Sequence, residues 1–128
     1  MVDVLASLGL CLLKSGKPAD AEPVLRECLA IRDKKQPDDW MTFNTKSLLG
    51  AALLGQKKYT DAEPLLLAGY EGMKKRLDTR PQEDKVRLTE ALERLVQLYE
   101  ATGKKDKSDE WRKNWEAAKA GAKPPAKP

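Results

Sequence analysis

The segment Asp20-Ala21-Glu22-Pro23-Val24-Leu25 returns 41 residues later as Asp61-Ala62-Glu63-Pro64-Leu65-Leu66. The register holds upstream as well, where Leu8-Gly9 matches Leu49-Gly50 and Leu12-Leu13 matches Leu53-Leu54. A weaker third copy lies 46 residues further on and pairs Leu49 with Leu95, Leu53 with Tyr99 and Ala62 with Ser108. A period of this length implies stacked units that each touch only their neighbours, rather than one globule folded around a cofactor.

The bulk numbers fit a folded array. The chain has 128 residues, 41% of them hydrophobic and 34% charged, which is enough apolar material for a core. Leu and Ala dominate that material, and they favour helix over sheet. The net charge of +4 sits at one end: residues 1–102 carry 16 charges of each sign, while 103–128 carry 8 basic and 4 acidic. A neutral body with a lysine-bearing tail argues against a nucleic-acid surface, and the tail is read as serving solubility. The apolar run from Val4 to Leu13 is too short to cross a membrane, and Asp3 precedes it where a signal peptide would carry positive charge. A cytoplasmic location is expected.

There is no histidine, so the commonest general base and the commonest metal ligand are both missing. Cys11 and Cys28 match neither a zinc spacing nor a redox pair. They are expected to be reduced, small buried thiols that bind no metal, on facing helices of the first hairpin. No cofactor is expected.

Six helices are legible. Leu5, Leu8 and Leu12 form the first stripe, ended by Ser15-Gly16-Lys17-Pro18. Leu25, Cys28, Leu29 and Arg32 mark the second, with Arg32 laying its stem along the edge. The second helix fades before Pro37. Asp38 or Asp39 caps a third helix that runs to Leu54 and buries Trp40, Phe43, Leu49, Ala52 and Leu53. The fourth carries Leu65, Leu66, Tyr70 and Met73 and extends to Leu77; close packing is expected to compensate for Gly69 and Gly72 within it. Pro81 opens the fifth, whose pattern of Leu88, Ala91, Leu92, Leu95, Leu98 and Tyr99 is strongly amphipathic. The sixth starts at Asp106 or Ser108 and stacks Trp111 and Trp115 one turn apart. From Ala120 onward the Lys/Pro-rich sequence predicts a disordered tail.

Pro23 and Pro64 leave two helix starts open. If Asp20 and Asp61 are the caps, both prolines fall in the first turn, where a missing N–H costs little. If the helices begin at Lys17/Pro18 and Lys58/Tyr59, each proline distorts the first turns. The aspartate caps are physically neater.

The pattern resembles tetratricopeptide repeats, in the long-period form found in kinesin light chains. The family's Leu-Gly pair matches Leu8-Gly9 and Leu49-Gly50, with Leu95-Val96 in the third copy. Its next-turn aromatic or leucine matches Leu12, Leu53 and Tyr99, and its small second-helix residue matches Ala21, Ala62 and Ser108. Leu25 and Leu66 hold the following large apolar position, where copy three departs with Arg112 beside Trp111, implying a rotated register or an end cap. The resemblance implies an all-α, right-handed superhelical array of three antiparallel hairpins over residues 1–119, with repeats at about 2–36, 38–79 and 82–118 and a tail at 120–128. The runs from Ala62 to Met73 and from Leu92 to Glu100 are also similar to the C-terminal repeats of large bacterial serine/threonine protein kinases. The sequence carries no glycine-rich nucleotide loop, Val-Ala-Ile-Lys strand, His-Arg-Asp or Asp-Phe-Gly. A parent chain with upstream repeats or a kinase domain is expected, the first hairpin having packed on an earlier repeat.

By the family's geometry the inner wall carries Asp3, Ala6 and Leu10, then Asn44, Ser47 and Ala51, then Glu90, Glu93 and Gln97. The resemblance therefore implies protein interaction, with an extended or helical peptide, basic opposite Glu90 and Glu93, held at Asn44, Ser47, Glu90, Glu93 and Gln97. The other readings are a spacer or self-association module and an enzyme. The carboxylate pairs available to an enzyme, Glu90/Glu93 and Glu63/Glu71, are ordinary for a polar helix face.

Overall fold

Helical spacing in every segment produces six α-helices and, among the described residues, no strand. The computed structural model describes residues 2–76 and 85–121. The helices are α1 (Val2–Lys14), α2 (Pro18–Lys35), α3 (Trp40–Gly55), α4 (Tyr59–Lys75), α5 (Lys85–Ala101) and α6 (Lys105–Gly121). Each packs on the next along the chain, and α3 also touches both α1 and α5. The fold is thus all-α and repeat-like. α4 ends at Lys75, with Arg76 as its C-cap, short of the expected Leu77, and the Pro81 expected to open the fifth helix lies outside the described residues. The tail expected from Ala120 is corrected at its start, because Ala120 and Gly121 close α6.

The sequence repeat is a repeat of hydrogen bonds. The N–H of Lys17 donates to the Leu12 carbonyl, that of Lys58 to Leu53 and that of Lys104 to Tyr99, at 2.8, 2.9 and 2.9 Å. Just before these lysines stand Gly16 and Gly103 at φ 75° and, in the middle turn, Lys57 at φ 65°. Such left-handed residues terminate helices, and glycine adopts the conformation without a Cβ clash.

Two helix starts settle differently from the neater reading. α2 begins at Pro18 and α4 at Tyr59, after Lys17 and Lys58, whose side chains make no cap hydrogen bond. Pro23 and Pro64 therefore sit inside their helices, and the carbonyls of Ala19 and Thr60 lose their usual i+4 donors. Ala19, Pro23, Thr60 and Pro64 are all exposed, so water reaches those carbonyls and limits the cost. α3 instead has a side-chain cap: Asp39 Oδ2 accepts from the Met41 N–H at 3.0 Å.

Inside each of the first two hairpins a leucine of the second helix fills the space over a glycine of the first. A Cβ at Gly50 would lie 2.7 Å from Leu66 Cδ2, and Gly9 is crowded in the same way by Leu25. Leu25 and Leu66 are fully buried. The third hairpin inverts the sizes: Val96 replaces the glycine and is buried, while Arg112 replaces the leucine and turns outward to pair with Glu100. Trp111 takes over the packing, edge-on to Tyr70 with ring centroids 5.2 Å apart. The close approach expected at Gly69 is present, since a Cβ there would lie 2.8 Å from Phe43 O and Ser47 N.

Successive hairpins are joined by the glutamate of the repeated motif. Glu22 accepts from Gln56 Nε2 and Arg26 Nε, both at 2.8 Å, and pairs with Lys58 at 3.3 Å. Its counterpart Glu63 accepts from the Tyr99 hydroxyl at 2.7 Å. Burial and the Glu63 carboxylate both push the Tyr99 hydroxyl above its ordinary pKa, so it remains a donor. Arg32, expected along the edge, is instead buried; it donates to Cys28 Sγ at 3.5 Å and reaches Asp3 at 3.1 Å. Cys28 is buried, but Cys11 is exposed, which corrects the expectation of two buried thiols.

Two outcomes follow. Lys57→Gly removes a left-handed strain of about 1–2 kcal/mol and adds unfolded-chain entropy of about 0.4–1 kcal/mol, a net gain near 0.5–1 kcal/mol by urea denaturation. The second concerns acid. Hydrogen bonds from Gln56, Arg26 and Lys58 hold the Glu22 carboxyl at about 2. Its folded value lies below that of a free glutamate, about 4.3. The stabilisation is therefore complete above that value and is lost as pH falls from it towards 2. Glu22→Gln should be less stable than the parent at pH 7 and should lose less on acidification from pH 5 to pH 3, read from denaturation midpoints.

Candidate functional site

The contacts of α3 with α1 and α5 set three first helices side by side, and one groove of about 660 Å³ runs across them. Residues three and four apart on a helix share a face. That spacing delivers Leu10, Leu13 and Lys14 from α1, Ala51, Leu54 and Gly55 from α3, and Glu90, Glu93, Arg94 and Gln97 from α5. The 41- and 46-residue offsets relate Leu10, Ala51 and Gln97, so the repeat itself places one groove residue per hairpin. Gly16 and Pro18 complete the rim. Pro18 presses on the end of α3, where a Cβ at Gly55 would lie 2.8 Å from Pro18 Cβ.

The groove is apolar on the α1 and α3 sides apart from Lys14, and charged on the α5 side. Glu90 and Glu93 are half-buried, and Glu90 Oε1 pairs with Arg87 Nη1 at 3.2 Å. Arg94 donates from Nη1 to Ser47 Oγ at 2.9 Å. Burial pulls its pKa below the ordinary arginine value while Glu90 and Glu93 oppose the shift; the guanidinium stays charged. Lys14 stands on the opposite wall.

The expected site residues divide. Glu90, Glu93 and Gln97 line the groove as expected, as do Leu10 and Ala51. Asn44 and Ser47 do not, and their expected place on an exposed wall is corrected: Asn44 is 6% and Ser47 0% exposed. Ser47 is roofed by Arg94, and Asn44 Oδ1 is buried without a hydrogen-bond donor among the described residues. Asp3 is turned to Arg32 rather than to the groove. Sequence reasoning missed Leu13, Lys14, Leu54 and Arg94. The first three lie one turn beyond Leu10 and Ala51 on the same face, a signal available from helical spacing. Arg94 gives no such signal, because its reach to Ser47 spans 47 residues.

Among the described residues no group of three or more His, Cys, Asp or Glu side chains could hold a metal ion. No helix among them is long and apolar enough to cross a membrane. No protein-family model matches the chain, and no curated protein matches it.

Arg94 is structural as well as part of the wall, whereas Gln97 is exposed. Arg94→Ala should cost about 1–3 kcal/mol by losing a charged donor to buried Ser47. Gln97→Ala should change stability by less than about 0.5 kcal/mol. Urea titration of the two variants side by side checks both.

Proposed function

We propose that this chain is a protein-interaction scaffold, a right-handed tetratricopeptide-like superhelix whose groove holds a segment of a partner protein. The observation that carries this reading is the groove itself, built jointly by three repeats with an apolar side facing a row of acidic residues. Such a cleft suits a segment that places aliphatic side chains over Leu10, Ala51 and Leu54 and a lysine or arginine against Glu90 and Glu93. Extended peptides and amphipathic helices both meet that description. The half-buried carboxylates add selectivity more than raw affinity. The chemistry present is that of binding: Glu90 is already paired with Arg87, and Glu93 lies one turn along the same face.

The experiment is a screen of a basic-amphipathic peptide library against the purified chain, followed by titration of a captured peptide with two variants. Leu54→Glu places a charge on the apolar side and should abolish capture. Glu93→Lys should weaken it by about tenfold at low salt and by less at high salt, as screening shortens the range of the charge. Both variants should keep the parent's helix content. Unchanged affinity in both would remove the groove as the binding surface.

A further inference from the structure

The three hairpins are built alike, but α1 carries on its outer side three residues that its counterparts hide. Val4 is 65% and Leu8 45% exposed, and Cys11 is exposed with them. At spacings of four and three they form one stripe along the helix. In α3 the same register positions are Thr45, Leu49 and Ala52; in α5 they are Ala91, Leu95 and Leu98. All six are 1% exposed or less. Each first helix has its own second helix against it, with Leu25 over Gly9 as Leu66 lies over Gly50. What α3 and α5 have in addition is the second helix of the hairpin before, α2 on α3 and α4 on α5.

From this we infer that the outer face of α1 is a docking site for a helical hairpin of the same kind, whose second helix lies on Val4, Leu8 and Cys11 as α2 lies on α3. The fold states the chemistry of that helix. α2 places Glu22 on Gln56 and Lys58, and six residues later Cys28 Sγ lies 3.9 Å from Thr45 Oγ1. The counterparts of Gln56 and Lys58 on the first hairpin are Ser15 and Lys17, both exposed. The docking helix therefore carries a carboxylate opposite Ser15 and Lys17 and, six residues on, a small side chain over the α1 stripe. A second copy of this chain does not offer that helix through its far end. The small position held by Cys28 in α2 and by Gly69 in α4 is Trp115 in α6, and Tyr70, which meets Trp111, corresponds there to the exposed Glu116.

The test inserts a second copy of residues 2–42 ahead of residue 2 of the full chain, which preserves the 41-residue register, with serine replacing both cysteines of the inserted copy and Cys28→Ser in the chain proper. Cys11 is then the only thiol. Its reaction rate with a thiol reagent should fall by about tenfold or more relative to the unextended Cys28→Ser chain, since a covered residue reacts only through local opening. Helix content should rise in proportion to the added residues. Leu8→Glu in the original copy should restore the fast reaction, while in the unextended chain it should leave the denaturation midpoint within error. An extended chain in which Cys11 reacts as fast as before, or in which the added hairpin is unfolded, overturns the inference, because the face has then failed to dock the helix it fits. An unextended chain that sediments as a dimer and becomes monomeric with Leu8→Glu also overturns it, assigning the face to a second copy.

Discussion

Burial of α3 and of α5 between two second helices is the constraint on which the rest of the molecule depends. A hairpin of two helices encloses too little volume to hide both apolar faces, so its own packing leaves a stripe uncovered. In α3 that stripe is closed by α2 and in α5 by α4, which turns Leu49, Ala52, Leu95 and Leu98 into core. Glu22 and Glu63 then fix the offset between neighbours by reaching hydrogen-bond donors on the following hairpin. A shift of one helical turn would separate those groups and move Pro18 off Gly55. The stacking register is thus held by polar and steric matching together, while hydrophobic burial, being non-directional, supplies the driving force.

The parts of this arrangement that were legible in the sequence are those repeated in it. Turn hydrogen bonds at Lys17, Lys58 and Lys104 follow the 41- and 46-residue offsets, and the buried small positions Ala21, Ala62 and Ser108 do the same. The helix starts were not legible, because Lys17 and Lys58 cap nothing with their side chains, and the neighbouring aspartates are sound caps that the structure does not use. Nor was the burial of Asn44 and Ser47. Helical periodicity assigns a residue to a face of its helix, but it does not say whether a long side chain from another repeat lies across that face. Arg94 does so over Ser47. Of the residues expected on one wall, Glu90, Glu93 and Gln97 line the groove, while Asn44 and Ser47 are buried.

The third hairpin shows how the scheme ends. Val96 and Arg112 exchange the sizes of the Gly50 and Leu66 positions, and the arginine faces water. Trp111 and Trp115 supply the packing area in its place, and Lys119 lies over the Trp115 ring at 3.8 Å. Asp109, Lys113 and Glu116 are exposed as well, so the outer side of α6 is a charged, solvated surface. The two ends of the stack therefore differ in kind, α1 ending in an apolar stripe and α6 in alternating charge.

That polarity bears on the groove. The body of the chain is charge-balanced over residues 1–102, so no long-range field draws a partner to it. At physiological ionic strength fields between exposed charges fade over about 8 Å, and selection falls to the groups that line the cleft. There the carboxylates of α5 face a wall from α1 and α3 that is apolar apart from Lys14, and Arg94 is committed to Ser47. A segment held there as proposed would lie on aliphatic surface and Lys14 along two repeats and on carboxylates along the third. Because each repeat contributes one helix to this wall, lengthening the stack lengthens the groove without altering the contacts already formed.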